Sequence, residues 1–182
     1  MLARHKTWLI LGSLFFALSV VPASRAQVDS LTSAVTLTAV ISETLTVVAT
    51  PATVNFTLAA NSTANGSTPI SITTNWVLNQ TRTSVKLYAY FSNPASALTE
   101  PLGINIPASN VKGSVNSGAF TPFSGVSPFA AGGSLMVFTE AISPLNATKT
   151  RTDTLTLQVD TTGLTLASGL YTGLLIIQAQ AI

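Results

Sequence analysis

Apolar and polar residues alternate along most of this chain. In residues 34–41, Val35, Leu37, Ala39 and Ile41 share one face. Leu45 and Val47 pair up in 44–49, and Val54, Phe56 and Leu58 align in 53–58. Ile70, Ile72, Trp76 and Leu78 align in 70–78; Val85, Leu87, Ala89 and Phe91 in 84–91, with Lys86, Tyr88 and Tyr90 opposite. In 134–142, Leu135, Val137 and Thr139 oppose Met136, Phe138, Glu140 and Ile142. Leu155, Leu157 and Val159 alternate with threonine and glutamine in 152–160, and 171–181 alternates Leu175, Ile177 and Ala179 with Ile176, Gln178 and Gln180. Side chains of an extended chain point alternately to opposite faces, so period two marks half-buried strands. The abundant Thr, Val and Ile stiffen the backbone toward the pleated form. No window holds a 3.6-residue stripe; any helix should be one or two turns near 94–98. The pattern predicts an all-β chain: a single immunoglobulin-like antiparallel β-sandwich of about 8–10 strands.

Turn residues fall between the runs. Pro51, Asn65-Gly66, Pro69, Asn93-Pro94, Pro101, Pro107, Gly132-Gly133, Pro144, Gly163 and Gly169 supply the punctuation. One stretch, 113–133, is irregular and carries Phe120, Phe123 and Phe129. Either these rings pack back onto the sandwich rim, or they form an exposed aromatic binding loop.

The first 26 residues have a different character. Arg4-His5-Lys6 precedes a 15-residue apolar run, 7–21, and small residues stand at Ser24 and Ala26. This is the layout of a cleaved secretory signal, with the cut before Gln27. The run is short of the roughly 20 residues of a membrane span, and no later run approaches one. Residues 27–182 are expected as one exported domain without a transmembrane helix, passing through a periplasm to the cell surface or the extracellular space.

Composition narrows the chemistry. Residues 27–182 keep five basic side chains (Arg82, Lys86, Lys112, Lys149, Arg151) and six acidic ones (Asp29, Glu43, Glu100, Glu140, Asp153, Asp160). Five scattered cations are a poor match for a phosphate backbone, so no nucleic-acid partner is expected. There is no cysteine, and the single histidine, His5, leaves with the signal. Disulfides, thiolate metal sites and histidine catalysis are therefore excluded in the exported form. The carboxylates are solitary in sequence. A two-carboxylate site would need Glu140 brought beside Asp153 or Asp160 by strand pairing. The chain reads as no enzyme, with no cofactor and no metal. Tyr88 and Tyr90, two apart on one face, are a candidate ligand platform, whereas Trp76 aligns with core positions. Asn55, Asn61, Asn65, Asn79 and Asn146 stand in Asn-X-Ser/Thr sequons.

The segment 27–42 gathers Leu31, Val35, Leu37, Ala39 and Ile41 on one side behind a polar leader, and 44–56 follows directly. Near the C-terminus, Gly169-Leu170-Tyr171-Thr172-Gly173 precedes Leu175, Ile177 and Ala179. These two ends resemble secreted bacterial surface proteins of the pilin and spore-coat-U type, although the cysteine pair common in such pilins is missing. The resemblance implies that 27–42 is an assembly strand that completes the sandwich of the next subunit; the pattern alone equally suits an ordinary first strand that pairs within its own domain. The functional expectation is a non-enzymatic exported structural or cell-surface protein. Its partners are copies of itself or other surface proteins. Two other readings fit the same residues: an extracellular carbohydrate- or protein-binding sandwich, and a small outer-membrane β-barrel.

Overall fold

The computed structural model describes residues 33–126 and 128–182. The expected signal, 1–26, and the start of the arm, 27–32 with Leu31, lie outside the described residues. The N-terminal unit, Met1–Ala39, is thus described from residue 33 on; the main domain is Val40–Ile182.

The strands of the domain are β1 (Thr44–Thr50), β2 (Thr63–Asn65), β3 (Ile70–Val77), β4 (Ser84–Tyr90), β5 (Leu98–Thr99), β6 (Asn105–Ile106), β7 (Val111–Val115), β8 (Thr121–Pro122), β9 (Ser134–Ala141), β10 (Thr148–Asp160) and β11 (Ile176–Ala181). All pairings are antiparallel. One sheet runs β1-β3-β10-β7-β8, with β2 also on β10; the second runs β11-β4-β9; β5 and β6 form a small separate ladder. The two main sheets enclose one core, built from the inward residues of β3 (Ile70, Ile72, Trp76), β4 (Val85, Leu87, Ala89) and β10 (Leu155, Leu157, Val159). Each fully buried Leu, Ile or Phe contributes about 1.5–3 kcal/mol, so this alternation is enough to fix which face turns inward. The chain is an all-β sandwich. Its sheets are open, so the barrel reading is corrected: β1 and β11 end their sheets without pairing to close a ring.

Several boundaries move. Residues 33–43 form no strand and are exposed, Leu37 to 90%; they pair with none of the described strands. Residues 53–58 keep the alternation of burial without being a strand. The last strand begins at Ile176, not 171, and β10 starts earlier than expected, at Thr148. In β9 the regular alternation breaks. The register against β4 slips between Leu87 and Tyr88, leaving Val137 unmatched, so both Val137 and Phe138 are buried. That is a β-bulge, which adds one residue to one side of a ladder. The region 94–98 holds turns, and the short helix is a 3₁₀ turn at Ala108–Asn110. Four of the eleven strands are only two or three residues long, which explains the excess over the expected count.

Candidate functional site

Strand β1 ends at the Thr50-Pro51 bond, and the chain continues along the sandwich edge as residues 51–60. Val54, Phe56 and Leu58 are half-buried there, while Thr53, Asn55 and Thr57 are exposed. The Asn55 carbonyl accepts the Ser67 N–H (2.8 Å), and the Asn55 N–H donates to Ser67 Oγ (3.1 Å). In an alternating chain, when one residue turns both backbone groups to one side, its neighbours turn theirs to the other. The backbone of Val54 and Phe56 is thus directed to the opposite side. Gly66 lets the Ser67 segment lie close: a Cβ there would come within 2.6 Å of a Val54 methyl.

A second wall runs before β11, over residues 164–175. Leu164, Leu166, Tyr171 and Leu175 are half-buried. Thr172 exchanges backbone bonds with Thr99 (2.8 and 3.0 Å), and the Tyr171 hydroxyl donates to the Ala167 carbonyl (3.1 Å). Gly173 presses against the Ala97 carbonyl where a Cβ would collide.

Between the two walls lies a groove of about 800 Å³. Its floor is core surface: Ile70, Phe91, Val111, Leu157, Val159 and Ile177. No charged side chain lines it among the described residues. It continues the seam where β1 and β11, the edge strands of the two sheets, face each other. Apolar floor, one wall outside any strand, a second held to β5 by the single Thr99–Thr172 bridge, and a length of about ten residues make it a place for one more strand.

The other sequence candidates lie elsewhere. The expected assembly residues Val35, Leu37, Ala39 and Ile41 are exposed, with Val40 beside them. Tyr88 and Tyr90 share the outer face of β4, but Phe129 covers them. Its ring stacks on Tyr90 at 5.3 Å and meets Tyr88 edge-on at 5.7 Å. The Tyr90 hydroxyl donates to Gln178 Oε1 (2.9 Å). Phe123 is fully buried against Phe91 at 5.1 Å, so the irregular stretch packs back on the sandwich through two of its three rings. Trp76 is a core residue whose Nε1–H donates to the Asn146 carbonyl (2.8 Å).

Glu140 and Asp153 do come together, with Arg151 between them. Its Nε and Nη2 bind the Asp153 carboxylate, each at 2.8 Å, and its Nη1 reaches Glu140 Oε2 at 3.2 Å. Lys149 binds the other Glu140 oxygen at 2.5 Å. Burial raises both carboxyl pKa values. For Glu140, hydrogen bonds from Lys149, Arg151 and Asn146 outweigh it; for Asp153, those from Arg151 and Asn116 do, so both end below their usual range. A glycosidase general acid needs a carboxyl pushed the other way. Elsewhere, the Arg82 hydrogen bond and the Asn79 N–H lower Glu43 to about 2, and Lys112 and Thr162 lower Asp160 to about 2.

These directions give a pH prediction. A carboxyl with a depressed folded pKa contributes stability above its unfolded value, lost as pH falls through the folded one. All four shifts have this sign. The melting temperature should be flat from about pH 5 to 8 and fall between about pH 4.5 and 2. A scan by circular dichroism checks it; a decline of more than about 10 °C between pH 8 and 5 would contradict it.

Compared with known proteins, the chain matches no family model and no curated protein sequence.

Proposed function

We propose that this chain is an exported structural subunit without enzymatic activity, which assembles with copies of itself. The segment 31–41 of one copy fills the groove of the next. The observation that carries this reading is the match between two incomplete parts of one chain. The described part of that segment, 33–41, alternates and lies exposed and unpaired with any described strand. An apolar groove with strand-like walls lacks an occupant among the described residues. Eleven residues extend about 36 Å at 3.3 Å each, and the ten-residue wall 51–60 about 33 Å. Three exposed residues, Val35, Leu37 and Ile41, would each gain about 1.5–3 kcal/mol on burial. Backbone bonds to both walls would add about 0.5–1.5 kcal/mol apiece.

Reach favours a neighbour's groove over the chain's own. The arm joins the domain at Thr44, and the groove begins at the far end of the seven-residue β1. An arm folded back on its own domain would spend residues 37–43 merely passing β1. Leu37, Ala39 and Ile41 would then miss the groove. In a second copy all the apolar positions enter it. The polarity follows. One end of the groove abuts β1 and β11, so the donor domain lies beyond the other end, near Ala60 and Leu166. The arm then runs parallel to 51–60 and antiparallel to 166–175.

The test is assembly of the purified exported chain. Sedimentable linear polymers that survive mild SDS are expected. A protein that stays monomeric at high concentration would contradict the reading and favour a free binding module, detectable by sugar-dependent tryptophan fluorescence.

A further inference from the structure

The sandwich has a second seam, on the side away from the groove. Strand β9 is the outer strand of its sheet, and residues 148–153 of β10 pair with β3 alone. Beyond the Gly125–Ser134 bridge at its start, the outer side of β9 pairs with no described strand, and neither does that of β10 over 148–153, so a foreign strand could add there. The interior at this seam differs from that of the groove. Lys149, Arg151 and Asp153 stand opposite Trp76, Thr74 and Ile72 in register and occupy the inward positions of β10. They continue the row that becomes Leu155, Leu157 and Val159 higher up. Glu140 stands opposite buried Val85, the inward row of β9. The four charges link the two sheets: Glu140 binds Lys149 and Arg151, and Arg151 binds Asp153. The Arg151 guanidinium also lies 4.3 Å from the Phe138 ring centre, and Asn116 donates to Asp153 Oδ1 (2.8 Å).

We propose that this ionic cluster is a plug that closes the second seam to strand addition and so restricts assembly to a single file through the groove. A strand entering here would have to set its inward side chains against bound charges and separate them from their partners. The groove makes no such demand. Charge is rare in this chain, yet four of the eleven charges retained after residue 26 sit at this seam. Inward charges on open edges oppose edge-to-edge pairing.

The inference rests on the strand-accepting reading of the groove, and one experiment separates the two. The variant Glu140→Leu, Lys149→Met, Arg151→Met, Asp153→Leu replaces the plug with apolar side chains of similar length, a class of exchange that folded proteins often tolerate. A synthetic peptide of residues 31–41 is titrated into wild type and variant, both carrying Leu37→Asp to prevent polymerisation, and electron microscopy is run on the polymerising forms. The plug predicts one peptide per wild-type chain, two per variant chain, and laterally joined polymers from the variant. One peptide per chain in both, with single-file polymers in both, overturns the plug and leaves the groove reading standing. No binding to wild type overturns the groove reading; binding to the variant alone would still support the plug. Should the fourfold variant fail to fold, Glu140→Met with Lys149→Met keeps the Arg151–Asp153 pair and removes both cross-seam bridges, Glu140–Lys149 and Glu140–Arg151. It must then raise lateral association at least about tenfold by light scattering, and an unchanged signal overturns the plug.

Discussion

Leu37→Asp should abolish polymers while leaving a folded domain. Leu37 is 90% exposed and lies outside the core, so the substitution does not disturb the fold that carries the groove. Its cost falls entirely on the assembled state. There the leucine contact is lost, about 1.5–3 kcal/mol, and a carboxylate enters an apolar groove, adding about 2–3 kcal/mol even after partial relief. The sum of about 4–6 kcal/mol is roughly a thousand- to ten-thousandfold loss of affinity. Size-exclusion chromatography should show a monomer with a wild-type circular dichroism spectrum. The same protein should still bind an added 31–41 peptide, because its own groove is intact. A variant that unfolds and is not rescued by the peptide would place Leu37 in the core of its own domain.

Leu166→Asp is the reciprocal change. Leu166 is half-buried in the groove wall, so a charge there should bar the incoming arm by a similar margin and cost the isolated domain about 1–2 kcal/mol. Each variant alone should be monomeric. Mixed, they should give heterodimers and nothing longer. The Leu166→Asp chain still has a working arm, and the Leu37→Asp chain still has a working groove, but neither offers both. Analytical ultracentrifugation distinguishes a two-chain species from renewed polymers. Polymers in the mixture would mean that assembly uses another surface.

The sandwich was legible because β3, β4 and β10 each bury one face, and burial is what period two records. The bulge at Val137 was not. The residues of β9 look equally well alternated with either face inward, and only pairing with β4 reveals the extra residue. The groove was half legible. Val54, Phe56 and Leu58 alternate as a strand does, but hydrogen bonding needs a partner, and none of the described strands supplies one there. The same holds for Tyr171 and Leu175 on the other wall. The ionic seam was half legible: Glu140 beside Asp153 was foreseen through strand pairing, but β9 and β10 lie in different sheets and Lys149 and Arg151 bind the two acids across the gap. A signal existed: from 149 to 159, every second residue of β10 runs Lys, Arg, Asp, Leu, Leu, Val. An inward row that begins charged and turns apolar marks a strand leaving an open edge for the core. The tyrosine pair was legible as a face, but the ring that covers it comes from Phe129, nearly forty residues away.

The central claim is that residues 31–41 of one copy occupy the groove of another. Because the chain has no cysteine, single cysteines report on this directly. One population carries Leu37→Cys; others carry a cysteine at Leu58, Leu166, Tyr171 or Leu175. A disulfide forms only where two Cα atoms come within about 7 Å. Mixed populations, mildly oxidised and run on a non-reducing gel, should yield linked dimers of two different chains at one or two of these positions and not at the rest. If instead no mixture links, and a chain carrying both cysteines closes its disulfide within itself whatever the dilution, the arm belongs to its own domain and the assembly account fails.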